Sequence, residues 1–369
     1  MINEFYINLA KIAVNYSLEV KKGQRVLISG PDIAKEMFQA LYLEVLKAGG
    51  HPFTHIFMEG LSEIQFKYAS EEQLEYVDNI IKQIMNEFDA TINIFGDYNT
   101  KKLANVDPKR IAISQASPGH KELMEIMERR TSSGEFKWVI VPYPCQSFAQ
   151  EAKMDLYSYT EFVKKALMLD KENPVEEWRK VQKKQEEIIQ YLNKVENIQV
   201  LGEDTELTLS TKGRTWKNCC GQRNLPDGEV FTGPVEDSIN GHIRFTYPGI
   251  YIGKEIENIF LEFKDGKVVK GTADKGEELL QEILKIENAN IIGEFAIGTN
   301  YGIQKFTKNM LFDEKMGGTM HCALGLGFED TGSKNKSAIH WDILKDMKLP
   351  GSKILADGKV IYEEGKWKI

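Results

Sequence analysis

Apolar residues recur at helical spacing over residues 5–20, stop at Gly23, and give way to Arg25-Val-Leu-Ile-Ser29, a run that reads as a short buried strand. The alternation continues. A helical pattern over residues 32–48 closes at Gly49-Gly50, and residues 53–57 read as the next strand. A helix over 71–88 precedes a strand over 90–95, and a helix over 120–130 precedes a strand over 137–141 that stops at Pro142. Helices of roughly 10–18 residues between short apolar strands are what a parallel α/β sheet requires. Residues 157–195 read as mostly helical, interrupted at Asn173-Pro174, with Lys183-Lys184-Gln185-Glu186-Glu187 as a solvated face.

After residue 199 the period changes. Glu206-Leu-Thr-Leu-Ser210 alternates with period two. Asp265-Gly266 and Asp357-Gly358 each sit between apolar runs and predict tight hairpins. One helix, residues 275–286, interrupts. The expected organisation is an N-terminal parallel α/β domain, residues 1–195, followed by a β-rich domain, residues 196–369, that carries the chemistry.

The 369 residues include 47 Lys plus Arg against 55 Asp plus Glu, a net charge of −8. That balance argues against a nucleic-acid binder working by bulk charge. With 42 % apolar residues there is ample material for a core, but no apolar stretch reaches the ~18 residues a membrane helix needs. Glu4 and Lys11 interrupt the N-terminal apolar pattern, which reads as an amphipathic helix rather than a signal peptide. The four Cys (145, 219, 220 and 322) form no CxxC and read as small buried side chains in a reducing, cytoplasmic setting.

Candidate chemistry lies in the β-rich half. In Ser337-Ala-Ile-His-Trp-Asp-Ile-Leu344, strand geometry turns Ile339, Trp341 and Ile343 to one face and His340 with Asp342 to the other. Met320-His-Cys-Ala-Leu-Gly-Leu-Gly327 repeats the design: His321 shares its face with Ala323 and Gly325, which leave room for approach. Glu294 and Ala296 oppose Phe295 and Ile297, and Glu229 opens an apolar strand after Gly228. A Glu in such a run is costly to bury unless paired, protonated or bound to a metal. Each of these residues also reads, taken alone, as a hydrogen-bonded core or edge residue. Together, two imidazoles and three carboxylates suit Zn²⁺, Co²⁺ or Mn²⁺ and suffice for two ions sharing a bridging carboxylate.

Residues 224–241, Phe245-Thr-Tyr-Pro248, the run 259–269, Gly293-Glu294, His321-Cys-Ala-Leu-Gly325 and the pair His340-x-Asp342 resemble, in that order, the thermophilic metalloaminopeptidases of the aminopeptidase T and aminopeptidase S family. The resemblance implies an N-terminal α/β domain and a β-rich C-terminal domain, in a homodimer enclosing a cavity. It implies removal of N-terminal residues from short peptides by two divalent ions. By motif, Glu229, Glu294, His321, His340 and Asp342 fall on the family's metal ligands, and Glu229 or Glu294 becomes a candidate proton shuttle. One position departs. Where the family commonly has Tyr, seven residues after the first ligand His, this chain has Phe328, which can neither ligate nor hydrogen-bond. Tyr301 is a candidate replacement for that phenol. The 19 residues from His321 to His340 suggest a trimmed loop over the site.

Two rival readings use the same residues. His321, His340 and Asp342 alone form a two-His, one-carboxylate set suited to a single Fe²⁺ in a ring-cleaving dioxygenase. Alternatively, Phe328 marks a metal-binding homologue with weakened catalysis. Elsewhere, His51 and His55 lie on one face of a predicted strand and read as sheet-end residues before they read as ligands. Gly30-Pro31 follows the first strand, where α/β folds bind ligands, but lacks G-x-G-x-x-G. Gly213-Arg-Thr-Trp216 reads as a turn with an exposed aromatic.

Overall fold

The two patterns produce two kinds of sheet. In the computed structural model, which describes residues 2–369, the chain packs as two units. One contains the residues up to Glu177 together with Gly221–Leu225; the other contains Trp178–Cys220 and Pro226–Ile369.

The first unit holds a four-stranded, all-parallel sheet in the order His51–Phe57, Arg25–Pro31, Ala90–Phe95, Lys137–Pro142. Val26, Ile28, Ile92, Val139 and Val141 are buried on it, as continuous apolar strands covered by helices should be. The first helix is α-helical over Glu4–Ile12 and widens into a π-helical turn over Ala13–Ser17. The helix expected over 71–88 is in fact two, Glu71–Glu75 and Asn79–Glu87. Tyr76 is extended, and the Asp78 side chain accepts from Ile80 N–H, so a new N-cap starts the second piece. Helices Leu61–Tyr68 and Pro108–Ala116 are additional to those read from the pattern. Gly30 is a packing glycine: a Cβ there would lie 2.6 Å from Ile94 Cβ. Edge strand His51–Phe57 leaves Phe53, Ile56 and Phe57 exposed.

The second unit is antiparallel. Its larger sheet runs Lys267–Thr272, Phe260–Lys264, Asn240–Arg244, Thr205–Ser210, Asn197–Gly202, Lys353–Ala356, Lys359–Glu363, Lys366–Trp367. Its smaller sheet runs His340–Asp346, Thr319–Gly325, Ile292–Gly298, Glu229–Thr232, Lys217–Cys219. Both expected hairpins form. Asp265 and Gly266 take φ of 48° and 83°, Asp357 and Gly358 46° and 81°, the double left-handed conformation that matches strand twist. A single core joins the sheets: Val200, Leu207, Ile243 and Leu261 come from the larger, Phe295, Ile297, Met320, Cys322 and Ile343 from the smaller. Trp216 belongs to that core. It is buried and meets Phe295 edge-on, 6.1 Å between ring centres, rather than standing exposed on a turn. Because the core takes one face of the smaller sheet, alternation turns the other set of side chains to the opposite face.

Candidate metal centre

Register brings the opposite-face residues together. Glu294 and Asp342 both pair with Ala323, one on each side, and His321 pairs with Ala296. His340 pairs with Gly325, and Glu229 with Gly298. Small residues therefore stand between the polar ones, and the polar side chains converge over them.

His321 Nε2 lies 3.1 Å from Glu294 Oε1, 3.7 Å from Glu229 Oε2 and 3.7 Å from Asp342 Oδ1. His340 Nε2 lies 3.5 Å from Asp342 Oδ1 and 3.7 Å from Glu294 Oε2. Glu294 thus turns one oxygen to each imidazole. Two groups that could each hold a metal ion result, Glu229–Glu294–His321 and Glu294–His340–Asp342, with the atoms they offer within 4.8 Å of one another in each. His340 Nδ1 donates to Leu326 O at 2.7 Å, which leaves Nε2 as the ring nitrogen that faces the carboxylates.

The electrostatics favour added cations. Burial pushes the Glu229 carboxyl up to about 8 against the pull of Lys315. Burial also opposes charge on the imidazoles, but the hydrogen bond with Glu294 and the charges of Glu229 and Asp342 raise His321 to about 9. The Asp342 carboxylate likewise raises His340 to about 10. Burial of Asp342 is outweighed by His340, which holds it down to about 2. The cluster has gathered protons to balance its acidic side chains, and divalent ions replace such protons. Glu229 Oε2, Asp342 Oδ1 and His321 Nδ1 are buried with no hydrogen-bond partner. Two imidazoles, three carboxylates and unsatisfied donor atoms fit a pair of divalent ions.

Other residues of the site were silent in the pattern. Lys315 is buried, with its Nζ 2.5 Å from Glu229 Oε1, 2.7 Å from Glu314 Oε1 and 3.7 Å from Asp227 Oδ1. Gln185, in the middle of the run expected to be solvated, is buried and donates to Glu229 O at 2.8 Å. Phe328 stands over the site edge, its ring 5.1 Å from that of His340. The hydroxyl of Tyr301, the candidate replacement for the missing phenol, donates to Gly365 O at 2.9 Å. His51 and His55, on their edge strand, belong to neither ligand set.

A chain with an α/β unit and an antiparallel unit that carries this donor set has the composition of a metal-dependent hydrolase. The family model for thermophilic metalloprotease (M29) matches residues 3–367, and the chain belongs to that family. It is 27 % identical to aminopeptidase 2 of Geobacillus stearothermophilus, over 97 % of this chain and 96 % of that protein. Its fold is that of wild-type AmpT from Thermus thermophilus, with TM-score 0.85, 22 % identity and full coverage of both chains. The fold is shared more distantly with 2,5-dihydroxypyridine dioxygenase from Pseudomonas putida KT2440, with TM-score 0.63, 13 % identity, and coverage of 100 % of this chain and 98 % of that one. No helix among the described residues is long and apolar enough to cross a membrane.

Proposed function

We propose that the protein is a two-metal exo-aminopeptidase that releases the N-terminal residue from short peptides. Glu229, Glu294 and His321 would hold one divalent ion (Zn²⁺, Co²⁺ or Mn²⁺), and Glu294, His340 and Asp342 the other, with Glu294 shared. The observation that carries this reading is Glu294, whose two carboxylate oxygens face different imidazoles at 3.1 and 3.7 Å. Bound ions supply the positive charge that polarises the first peptide carbonyl and acidifies a water.

The chain's own residues do the rest. Leu326 O orients the His340 ring through Nδ1. Lys315 and Gln185 fix Glu229, by side chain and by main chain. Glu229 or Glu294 would take the proton bound for the leaving amine only through a carboxylate oxygen that an ion does not engage. Phe328 adds an apolar wall beside His340 and no hydrogen bond.

The mononuclear dioxygenase alternative leaves Glu229 without a task, and the two ligand sets favour a pair of ions. The homodimer is supported by the apolar residues exposed on edge strand His51–Phe57. Four free cysteines support a cytoplasmic location. The deciding experiment combines metal analysis with amino-acid release from a panel of short peptides, before and after chelation. Release that stops on chelation and returns with added metal is expected. Release that survives complete metal removal overturns the reading.

A further inference from the structure

Lys315 is the residue of the site with no part in the activity proposed above beyond holding Glu229. Its ammonium is buried and touches three carboxylates, those of Glu229, Glu314 and Asp227. It is also fixed from behind. Lys315 N–H donates to Phe312 O at 3.1 Å, and Lys315 O accepts from Asn300 N–H at 3.0 Å. Asn300 in turn donates through its side chain to Asp227 O at 2.8 Å. A buried ammonium so anchored and so surrounded keeps its charge and its place.

The two ligand sets are therefore unequal. In the first, Glu229 has already given Oε1 to Lys315, and only Oε2 faces His321. Any ion there meets a fixed positive charge across a single carboxylate. In the second, neither His340 nor Asp342 touches a lysine; the field of Lys315 reaches Asp342 without contact. Like charges at such short range in a low-dielectric interior oppose binding strongly.

On the two-ion reading above, we infer that Lys315 makes the Glu229–Glu294–His321 set the weaker metal site, so that ions load in order, the Glu294–His340–Asp342 set first. Lys315 is in this sense a positioning residue that sets the occupancy of the centre. A cell with limiting metal then holds a half-loaded protein whose second ion exchanges readily.

The test is a titration of chelator-stripped full-length protein with Co²⁺, followed by calorimetry and visible absorption, with ions per chain counted by elemental analysis. Two classes of site separated by about tenfold or more in Kd are expected, a gap of ~1.4 kcal/mol or more. Lys315→Gln tightens the weaker class by about tenfold, and Lys315→Arg, which keeps the charge, leaves it weak. Asp342→Asn removes the tight class and Glu229→Gln the weak one, an assignment that decides the order even where Lys315→Gln does not fold. Two ions binding in one class, a weak class unmoved in Lys315→Gln, or the reverse assignment overturns the inference while leaving the two-ion reading intact. Uptake of fewer than two ions by both wild type and Lys315→Gln overturns the two-ion reading itself, and the inference with it.

Discussion

The side-chain amide of Gln185 donates to the main-chain carbonyl of Glu229 at 2.8 Å, and the same nitrogen reaches Asn218 Oδ1 at 2.7 Å and Cys219 O at 2.9 Å. Thr299 Oγ1 completes the arrangement by donating to Gln185 Oε1 at 2.8 Å. One helix residue thus ties the strands that start and flank the Glu229 segment. Gln185→Leu removes the hydrogen bonds to Asn218 Oδ1, Cys219 O and Glu229 O, each worth about 0.5–1.5 kcal/mol. The expected result is a loss of ~2–4 kcal/mol by denaturant unfolding, together with a lower metal content after dialysis. Gln185→Glu should do no better, because a carboxylate accepts but cannot donate to a carbonyl. Wild-type metal content in either variant would show that Glu229 is held without Gln185.

Gln185 also marks where pattern reading ends. Its neighbours Lys183, Lys184, Glu186 and Glu187 are charged, so the run looks solvated. Yet Trp178, Gln185, Ile188 and Leu192 are all buried at helical spacing, a register that betrays the residue once the helix is drawn. The five candidate ligands were legible because strand alternation is strict: an apolar face made of Phe295, Cys322 and Ile343 forces Glu294, His321 and Asp342 to the other side. The two Asp-Gly hairpins were legible because few residues accept positive φ at consecutive positions. Lys315 was not, since a lysine just after the short helix Met310–Asp313 has no periodic signal, and two of its three carboxylate partners, Asp227 and Glu229, lie far away in the chain. Trp216 departs from its expected exposure for a related reason. Four residues around a glycine suggest a turn, but its indole is packed by Phe295, from a strand some eighty residues later.

The two histidines should separate under mutation. His321 is fully buried among Glu229, Glu294 and Asp342, whereas His340 is about a quarter exposed at the side chain. Removing His321 leaves three carboxylates facing one another in the interior. Breaking a buried charged cluster in this way costs ~3–5 kcal/mol. His340→Ala frees Leu326 O and removes the imidazole that holds Asp342 low, but it opens that face to water, a loss of about 1.5–3 kcal/mol. In chelator-treated protein, thermal unfolding should therefore fall further for His321→Ala than for His340→Ala, while both lose peptide hydrolysis. Equal unfolding temperatures would refute the electrostatic account of the His321 pocket.

Tyr301 offers a control for the missing phenol. Its hydroxyl is spent on Gly365 O, at the turn before Lys366–Trp367. Tyr301→Phe removes that hydrogen bond and the hydroxyl's contact with Tyr362, so the cost is about 1 kcal/mol in stability. kcat and KM on a short peptide should stay within error of wild type. A fall in kcat at unchanged stability would return Tyr301 to the chemistry.

Asp313 supplies a pH dependence independent of the ligands. It is fully buried, and burial pushes its carboxyl up to about 7 despite hydrogen bonds from Thr307 N and Oγ1. Its second oxygen has no partner. In the unfolded chain an Asp titrates near ~3.9, so between about pH 4 and 7 the folded state binds more protons than the unfolded one. The contribution of Asp313 to stability is therefore full below the unfolded value and is lost as pH rises through about 7. Asp313→Asn keeps an oxygen for Thr307 and cannot ionise, so relative to wild type it should be more stable at pH 8 than at pH 5. The change is on the order of 2–3 kcal/mol, what the wild type loses between pH 5 and about 7; the cost of burying the new amide nitrogen is the same at both pH values. Unfolding measured at both pH values checks this by difference, which cancels every other titrating group. A variant equally stable or unstable relative to wild type at pH 5 and pH 8 would mean that Asp313 is ionised throughout, with its charge balanced by a donor on that second oxygen.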